Sequence, residues 1–190
     1  MGKKLSKSLF IVVLSILMLF SGSLSVNCEE TGSITVTVIS QDDDNGTRVD
    51  RPISGVYFNV YKVWSYDDTN VLLSDPFSSS GVVINANMSE DEIQKTAPKF
   101  VEMVADLDPD YVIGPTDSKG VIKRENLTKG GYLFIQKDPI VWHGKQYTMA
   151  PFLVTVPRLV DGEYVMDVNA HPKPSLKRSW SYEPPKTGIE

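Results

Sequence analysis

Residues that build metal and nucleophilic centres are nearly missing from this chain: among 190 residues there is one cysteine, Cys28, and two histidines, His143 and His171. A lone cysteine excludes an internal disulfide, and with two histidines it is too few for a convincing zinc site. No Gly-rich loop follows a strand and opens a helix, so a phosphate cradle is absent as well. We therefore expect no catalytic residue, no metal and no cofactor. Residue types alone leave serine or carboxylate hydrolysis open, because triad members meet in space and not in sequence. Internal repeats and long low-complexity tracts are also lacking. Asn87-Met88-Ser89 and Asn126-Leu127-Thr128 match the glycosylation pattern, a common chance match, and receive no role.

Long apolar runs are scarce too, with one exception that sets the compartment. Lys3, Lys4 and Lys7 precede residues 9–20, an apolar stretch broken only by Ser15, and Ser21, Gly22, Ser23 and Ser25 follow. A cationic start, a short apolar core and small residues make a secretory signal peptide. The run is shorter than the ~20 residues that span a bilayer. Residues 1–25 are thus expected to be removed on export, with cleavage after Ser23 or Ser25. Cys28 follows Asn27, a poor fit to lipid-modified cysteines, and is expected to be a free thiol.

Export also shifts the charge. The leader holds three of the 19 Lys and Arg and none of the 24 acids, so the mature chain has 16 cations against 24 anions, a net of −8. Such a domain has no clustered cations for nucleic acid or an anionic membrane. The acidic run Asp42, Asp43, Asp44 adjoins Asn45-Gly46, a hairpin turn signal, and reads as a solvated hairpin end. The later ligands and spacing of a calcium loop are missing.

What remains has the size of one domain and reads as strands. Residues 33–40 (SITVTVIS) alternate Ile34, Val36 and Val38 against Thr and Ser. Residues 55–64 place Val56, Phe58, Val60 and Lys62 on one face, with Tyr57, Tyr61 and Val63 on the other. Residues 131–136, 152–156 and 164–170 are further β-branched and aromatic runs bounded by Gly, Pro or Asp, a pattern that suggests a sandwich. Residues 89–107 differ. Ser89, with Glu92 three residues on and Glu90 and Asp91 in the first turn, is a helix N-terminus signature. Ile93, Ala97, Phe100, Val101 and Val104 follow at helical spacing, and Pro98 should kink or split the helix. The expected fold is mainly β, an immunoglobulin-like β-sandwich with one helical insertion packed on the sandwich edge.

Two short patterns near the C-terminus bear on function. The first is Pro184-Pro185-Lys186-Thr187-Gly188, behind a polar and aromatic stretch that reads as an exposed linker. It resembles the Leu-Pro-x-Thr-Gly sorting signal cut by sortase transpeptidases, with Pro184 in place of Leu. Prolines keep such a segment out of helix and sheet, as an enzyme that binds extended chain requires. The second runs from Tyr164 through Val168, Ala170, His171 and Pro172 to Lys173. It resembles the pilin motif Trp-x-x-x-Val-x-Val-Tyr-Pro-Lys; Val168, Pro172 and Lys173 match, while Tyr164, Ala170 and His171 are substitutions. Gly131-Tyr132-Leu133 and the run from Ala150 to Pro157 are similar to the later strands of the same domain. On these residues the chain resembles the N-terminal domain of SpaA-type backbone pilins, which sortases assemble on Gram-positive bacteria.

The resemblance covers residues 32–173 and implies a Cna-B-like sandwich, secreted and displayed on the cell wall as part of a pilus. It implies that Lys173 is the acceptor amine and Thr187 the donor. A sortase cysteine attacks the Thr187 carbonyl, and the lysine of another subunit resolves the acyl-enzyme. The partners it implies are a sortase, other pilin subunits, peptidoglycan and a host surface ligand. Residues 174–190 would be the linker and sorting motif. Many such domains carry a Lys–Asn isopeptide bond promoted by a buried acid. The three positions where the resemblance places that triad hold Val38, Gln136 and Pro174, so no intramolecular isopeptide is expected. The family usually has further domains, then an apolar span and basic tail after the motif; a fragment of a longer pilin and a minimal subunit both remain open. The competing reading is a wall-anchored adhesin that is not polymerised, with Lys173 idle.

Overall fold

The computed structural model describes residues 30–176, apart from 45, 68, 69, 86 and 87. The signal segment, Cys28 and the sorting motif lie outside the described residues. Strand β1 (Thr31–Thr37) breaks at Val38 and continues as a hairpin of β2 (Ile39–Asp44) and β3 (Thr47–Pro52). A second hairpin joins β4 (Phe58–Asp67) to β5 (Asn70–Leu73). A 3₁₀ turn (Phe77–Ser80) and two short helices, α1 (Glu90–Gln94) and α2 (Ala97–Met103), come next. Then follow β6 (Tyr111–Ile113), β7 (Val121–Thr128) and β8 (Gly130–Gln136). The last stretch holds β9 (Ile140–Trp142), β10 (Lys145–Met149), β11 (Phe152–Val156) and the hairpin of β12 (Arg158–Val160) and β13 (Glu163–Val165). It ends with β14 (Asp167–Ala170) and β15 (Pro174–Leu176).

Two sheets form the sandwich. One has the order β14-β1-β7, with β14 parallel and β7 antiparallel to β1. The other has the antiparallel order β11-β8-β4-β5, and β6 joins the same edge of β4 further along. Period-two alternation decides what lies between them. Ile34 and Val36 of β1 and Val168 of β14 meet Phe58 and Val60 of β4, Phe134 of β8 and Val156 of β11. Phe58, Phe134 and Phe152 stack edge-on and face-on at 5.0–6.1 Å between ring centres. Tyr132 is buried among them, and its hydroxyl donates to the Thr128 carbonyl at 2.7 Å. A smaller sheet has the order β15-β10-β9, and Tyr147 and Met149 of β10 join the same core.

The second sheet is covered on its outer face as well. Tyr61, Val63, Leu133 and Leu153 point away from the first core and pack with Phe77, Ala97, Phe100 and Val104. The helical insertion therefore lies over the face of the sheet and not on the sandwich edge, because Tyr61, Val63, Leu133 and Leu153 make that face apolar too and it needs a cover. A register shift between Lys62 and Trp64 turns Trp64 to this same side as Val63. Lys62, before the shift, keeps the face expected for it opposite Tyr132 and is half-buried, its Nζ donating to Thr128 Oγ1 at 2.6 Å.

Ser89 and Glu92 form the reciprocal cap expected of their spacing: Ser89 Oγ accepts from the Glu92 N–H, and Glu92 accepts from the Ser89 N–H at 2.8 Å. The helix is split, and Pro98 stands in the first turn of α2, where a missing N–H costs nothing. The run 164–170 is likewise two elements, a corner separating Tyr164 in β13 from β14.

Candidate functional site

Strand β14 carries the candidate motif into position. Val168 pairs beside Ile34 and Ala170 beside Val36, so both side chains turn into the core. Their neighbours Asp167 and Asn169 consequently face out. Ser33 Oγ donates to Asp167 Oδ1 at 2.5 Å, and the Ser33 N–H donates to the Met166 carbonyl, which fixes the start of the strand. At its other end the chain crosses from one sheet to another. Pro174, Ser175 and Leu176 pair with Met149, Thr148 and Tyr147 of β10. Residues 171–173 are the bridge, and Pro172, which lacks an N–H, offers no donor for β14 to continue. His171 and Lys173 are exposed and Pro172 is half-buried. Among the described residues Lys173 has no hydrogen bond or ion pair.

A groove of about 940 Å³ opens beside this lysine, between α1 on one wall and β14 with its bridge on the other. The outer edge of β11 runs along it. That edge is closed by a side chain: Gln94 of α1 donates from Nε2 to the Leu153 carbonyl at 2.5 Å and accepts the Leu153 N–H on Oε1 at 2.9 Å. The facing edge, β14, is closed in the same manner. Arg158 donates from Nη1 to the Asn169 carbonyl at 3.2 Å, and its Nη2 meets Glu90 of α1 at 2.5 Å. Tyr164 (73% exposed) and Leu159 (59% exposed) stand on the β12–β13 hairpin at the rim.

The sequence pattern singles out Lys173 but says nothing of Gln94 and Arg158. Their partners lie 59, 68 and 11 positions away, with no local spacing to betray them. Tyr164, four positions before Val168, is a solvent-facing hairpin residue. Pro174 belongs to a paired strand and not to free linker. The sorting positions Pro184, Pro185, Lys186, Thr187 and Gly188 lie outside the described residues.

Gln136 and Pro174 meet at Met149, and Val38 lies in the same core. Gln136 accepts the Met149 N–H at 2.7 Å and donates to the Asp138 carbonyl at 2.8 Å, and Pro174 sits opposite Met149. A carboxamide, a ring and an isopropyl group supply neither the amine nor the acid of a crosslink. Among the described residues no three His, Cys, Asp or Glu side chains gather to hold a metal, and no helix is long and apolar enough to cross a membrane.

No protein-family model and no curated protein matches the chain. Its neighbours among solved structures are Gram-positive pilins. The full-length major pilin SpaD from Corynebacterium diphtheriae aligns with 76% of this chain and 32% of its own, at 20% identity and a TM-score of 0.46. The minor pilin GBS52 from Streptococcus agalactiae aligns over 85% of this chain and 49% of its own, at 17% identity and a TM-score of 0.43. For the SpaE basal pilin from Lactobacillus rhamnosus GG the shares are 77% and 52%, at 16% identity and a TM-score of 0.49. The chain spans about a third to a half of the length of these proteins.

Proposed function

We propose that the chain is a structural subunit of a Gram-positive surface pilus, exported and then joined by a sortase through Lys173 as acceptor and Thr187 as donor. The observation that carries this reading is the presentation of Lys173. Its amine stands exposed and unpaired on a three-residue bridge whose two ends are strands of different sheets, beside an open groove. The backbone that carries it is anchored at both ends, so the point from which the free amine reaches toward a bulky acyl-enzyme is set by the fold. The Pro-x-Thr-Gly pattern supplies the electrophile, and peptidoglycan is the terminal acceptor. No catalytic role falls to the chain itself.

The test is co-expression with a pilus-type sortase, read as boiling-resistant ladders on a denaturing gel. Lys173→Arg keeps the charge but replaces a nucleophilic amine with a guanidinium that stays protonated, so ladders should vanish. Thr187→Ala should remove them as well. If Lys173→Arg gives the same ladder as the unaltered chain, the acceptor assignment is wrong. The groove and its apolar rim then favour the second reading, a wall-anchored adhesin that binds a host ligand without polymerising.

A further inference from the structure

The edge of β11 that runs along the groove presents main-chain groups in a pattern another chain can use. Leu153 turns its N–H and C=O outward, where the Gln94 carboxamide takes both. Alternate residues of a strand present these groups to the same side, so those of Thr155 point into the groove too, about 7 Å further along. Among the described residues nothing bonds them, and Thr155 is half-buried on the groove wall. A carboxamide is a peptide group in miniature, with a carbonyl and an N–H in one plane. Gln94 therefore makes at Leu153 the pair of bonds that a residue of an added strand would make. The two walls of the groove differ in chemistry. Toward the helices stand Tyr66, Val71, Ile84, Met88 and Ile93, which pack with the outer core. Toward β14 stand Arg158, Asn169, His171 and Lys173, with no acid beside them on that wall. The acids that line the groove, Glu90 and Asp91, open α1, and Glu90 is held by Arg158.

We propose that the β11 edge is a binding site for an extended segment of a partner protein, laid beside β11 as a further strand, in which apolar residues alternate with acids. Successive side chains of a strand point to opposite faces. Leu153 faces the helices while Phe152 and Val154 face the inner core, so the residues of the added strand divide in the same way. Its apolar side chains meet Ile84, Met88 and Ile93, and its carboxylates meet Lys173, His171 and Arg158. Gln94 is the placeholder: it satisfies the Leu153 edge while the groove is empty and yields both bonds to the incoming main chain, which gains a further pair at Thr155. Arg158 is free to turn from Glu90 to the incoming acid, because that pair is exposed and exposed pairs are weak. No described strand of this chain alternates apolar residues with two or more acids, so a second copy does not supply the segment. The site does not depend on the acceptor role of Lys173, which here contributes only its charge.

The probe is a capped octapeptide of alternating valine and glutamate, titrated into the purified chain by fluorescence anisotropy, with amide exchange to locate it. The expected result is saturable binding with the Leu153 and Thr155 amides newly protected. The same residues in two blocks, and alternating valine and lysine, should bind at least ~10-fold more weakly. N-methylation removes main-chain donors and leaves the side chains alone; on one of the two alternating sets of residues it should abolish binding, since only one set faces the edge. Gln94→Ala removes the placeholder and should tighten binding about tenfold, the worth of roughly one net hydrogen bond. Weaker binding by the folded variant overturns the placeholder role. Lys173→Glu should weaken the acidic peptide. Lys173→Arg should leave it bound whether or not that variant forms sortase ladders, so this site and the acceptor reading fail separately. The inference is overturned if the peptide does not bind folded Gln94→Ala at ~1 mM, or binds as well when either set is N-methylated. It is overturned too if Gln94→Ala dimerises and the peptide does not part the pair, because the edge then serves a second copy.

Discussion

Single side chains show how tightly this fold is specified. Gly131 lies flat beneath Trp64: a Cβ there would stand 2.1 Å from the indole ring, and Trp64 is fully buried. Gly131→Ala should therefore destabilise the domain by about 1–3 kcal/mol, read as a lower urea midpoint at unchanged slope. Thr116 is another such point. Its hydroxyl donates to the Ile53 carbonyl at 2.8 Å and accepts the Val56 N–H at 3.0 Å, and it is 3% exposed. Thr116→Val should cost about 1–3 kcal/mol by leaving both backbone groups without a partner, while Thr116→Ser retains them. Glu92 carries a pH signature. Hydrogen bonds from the Ser89 side chain and backbone hold its carboxyl below the ordinary carboxylate range. A lowered folded value means that the cap stabilises above the ordinary range and is lost as pH falls through the folded value. Glu92→Gln should flatten that part of the acid limb in a urea series across pH. The sequence announces Ser89 and Glu92, because their partners are three positions apart; it is silent on why residue 131 is glycine, because Trp64 lies 67 positions away.

Among elements, those with strong alternation read correctly. Residues 152–156 are strand β11 to the residue, and Ile34, Val36 and Val38 all face inward as their spacing requires. Short elements such as β6, β9 and β12 are not legible, since three residues cannot display a period. The seating of the helices is not legible either. Their apolar side shows that they cover something, yet only the second apolar face of the central strands says what. The edge closures are tertiary in origin too, and they make a prediction at this scale. Gln94→Leu removes the two bonds that cap Leu153 and returns its N–H to the groove. Amide exchange at Leu153 should quicken, with a stability loss of about 1–2 kcal/mol. The bare edge would then be open to another strand, so light scattering on storage should rise for the variant.

At the scale of the molecule, two cores share one sheet, and the outer one is anchored by Phe100, which is fully buried and packs edge-on against Phe77 at 5.5 Å. Phe100→Ala should cost about 3–5 kcal/mol, a large part of the ~5–15 kcal/mol that holds such a domain together. No covalent bond is expected to share that load: the intact mass of the purified domain should match its sequence, with no loss of ammonia. The β15–β10 pairing gives that expectation a mechanical sense. In a pilus linked through Lys173 and Thr187, tension enters the subunit at one and leaves at the other. The stretched path between them runs through Pro174–Leu176 and the tail, and it bypasses the sandwich. A pull would peel three paired residues from β10 before any strand of either main sheet felt it. Such a subunit hangs on the fibre like a bead on a thread, and its hydrophobic cores need only resist heat and proteases, not force.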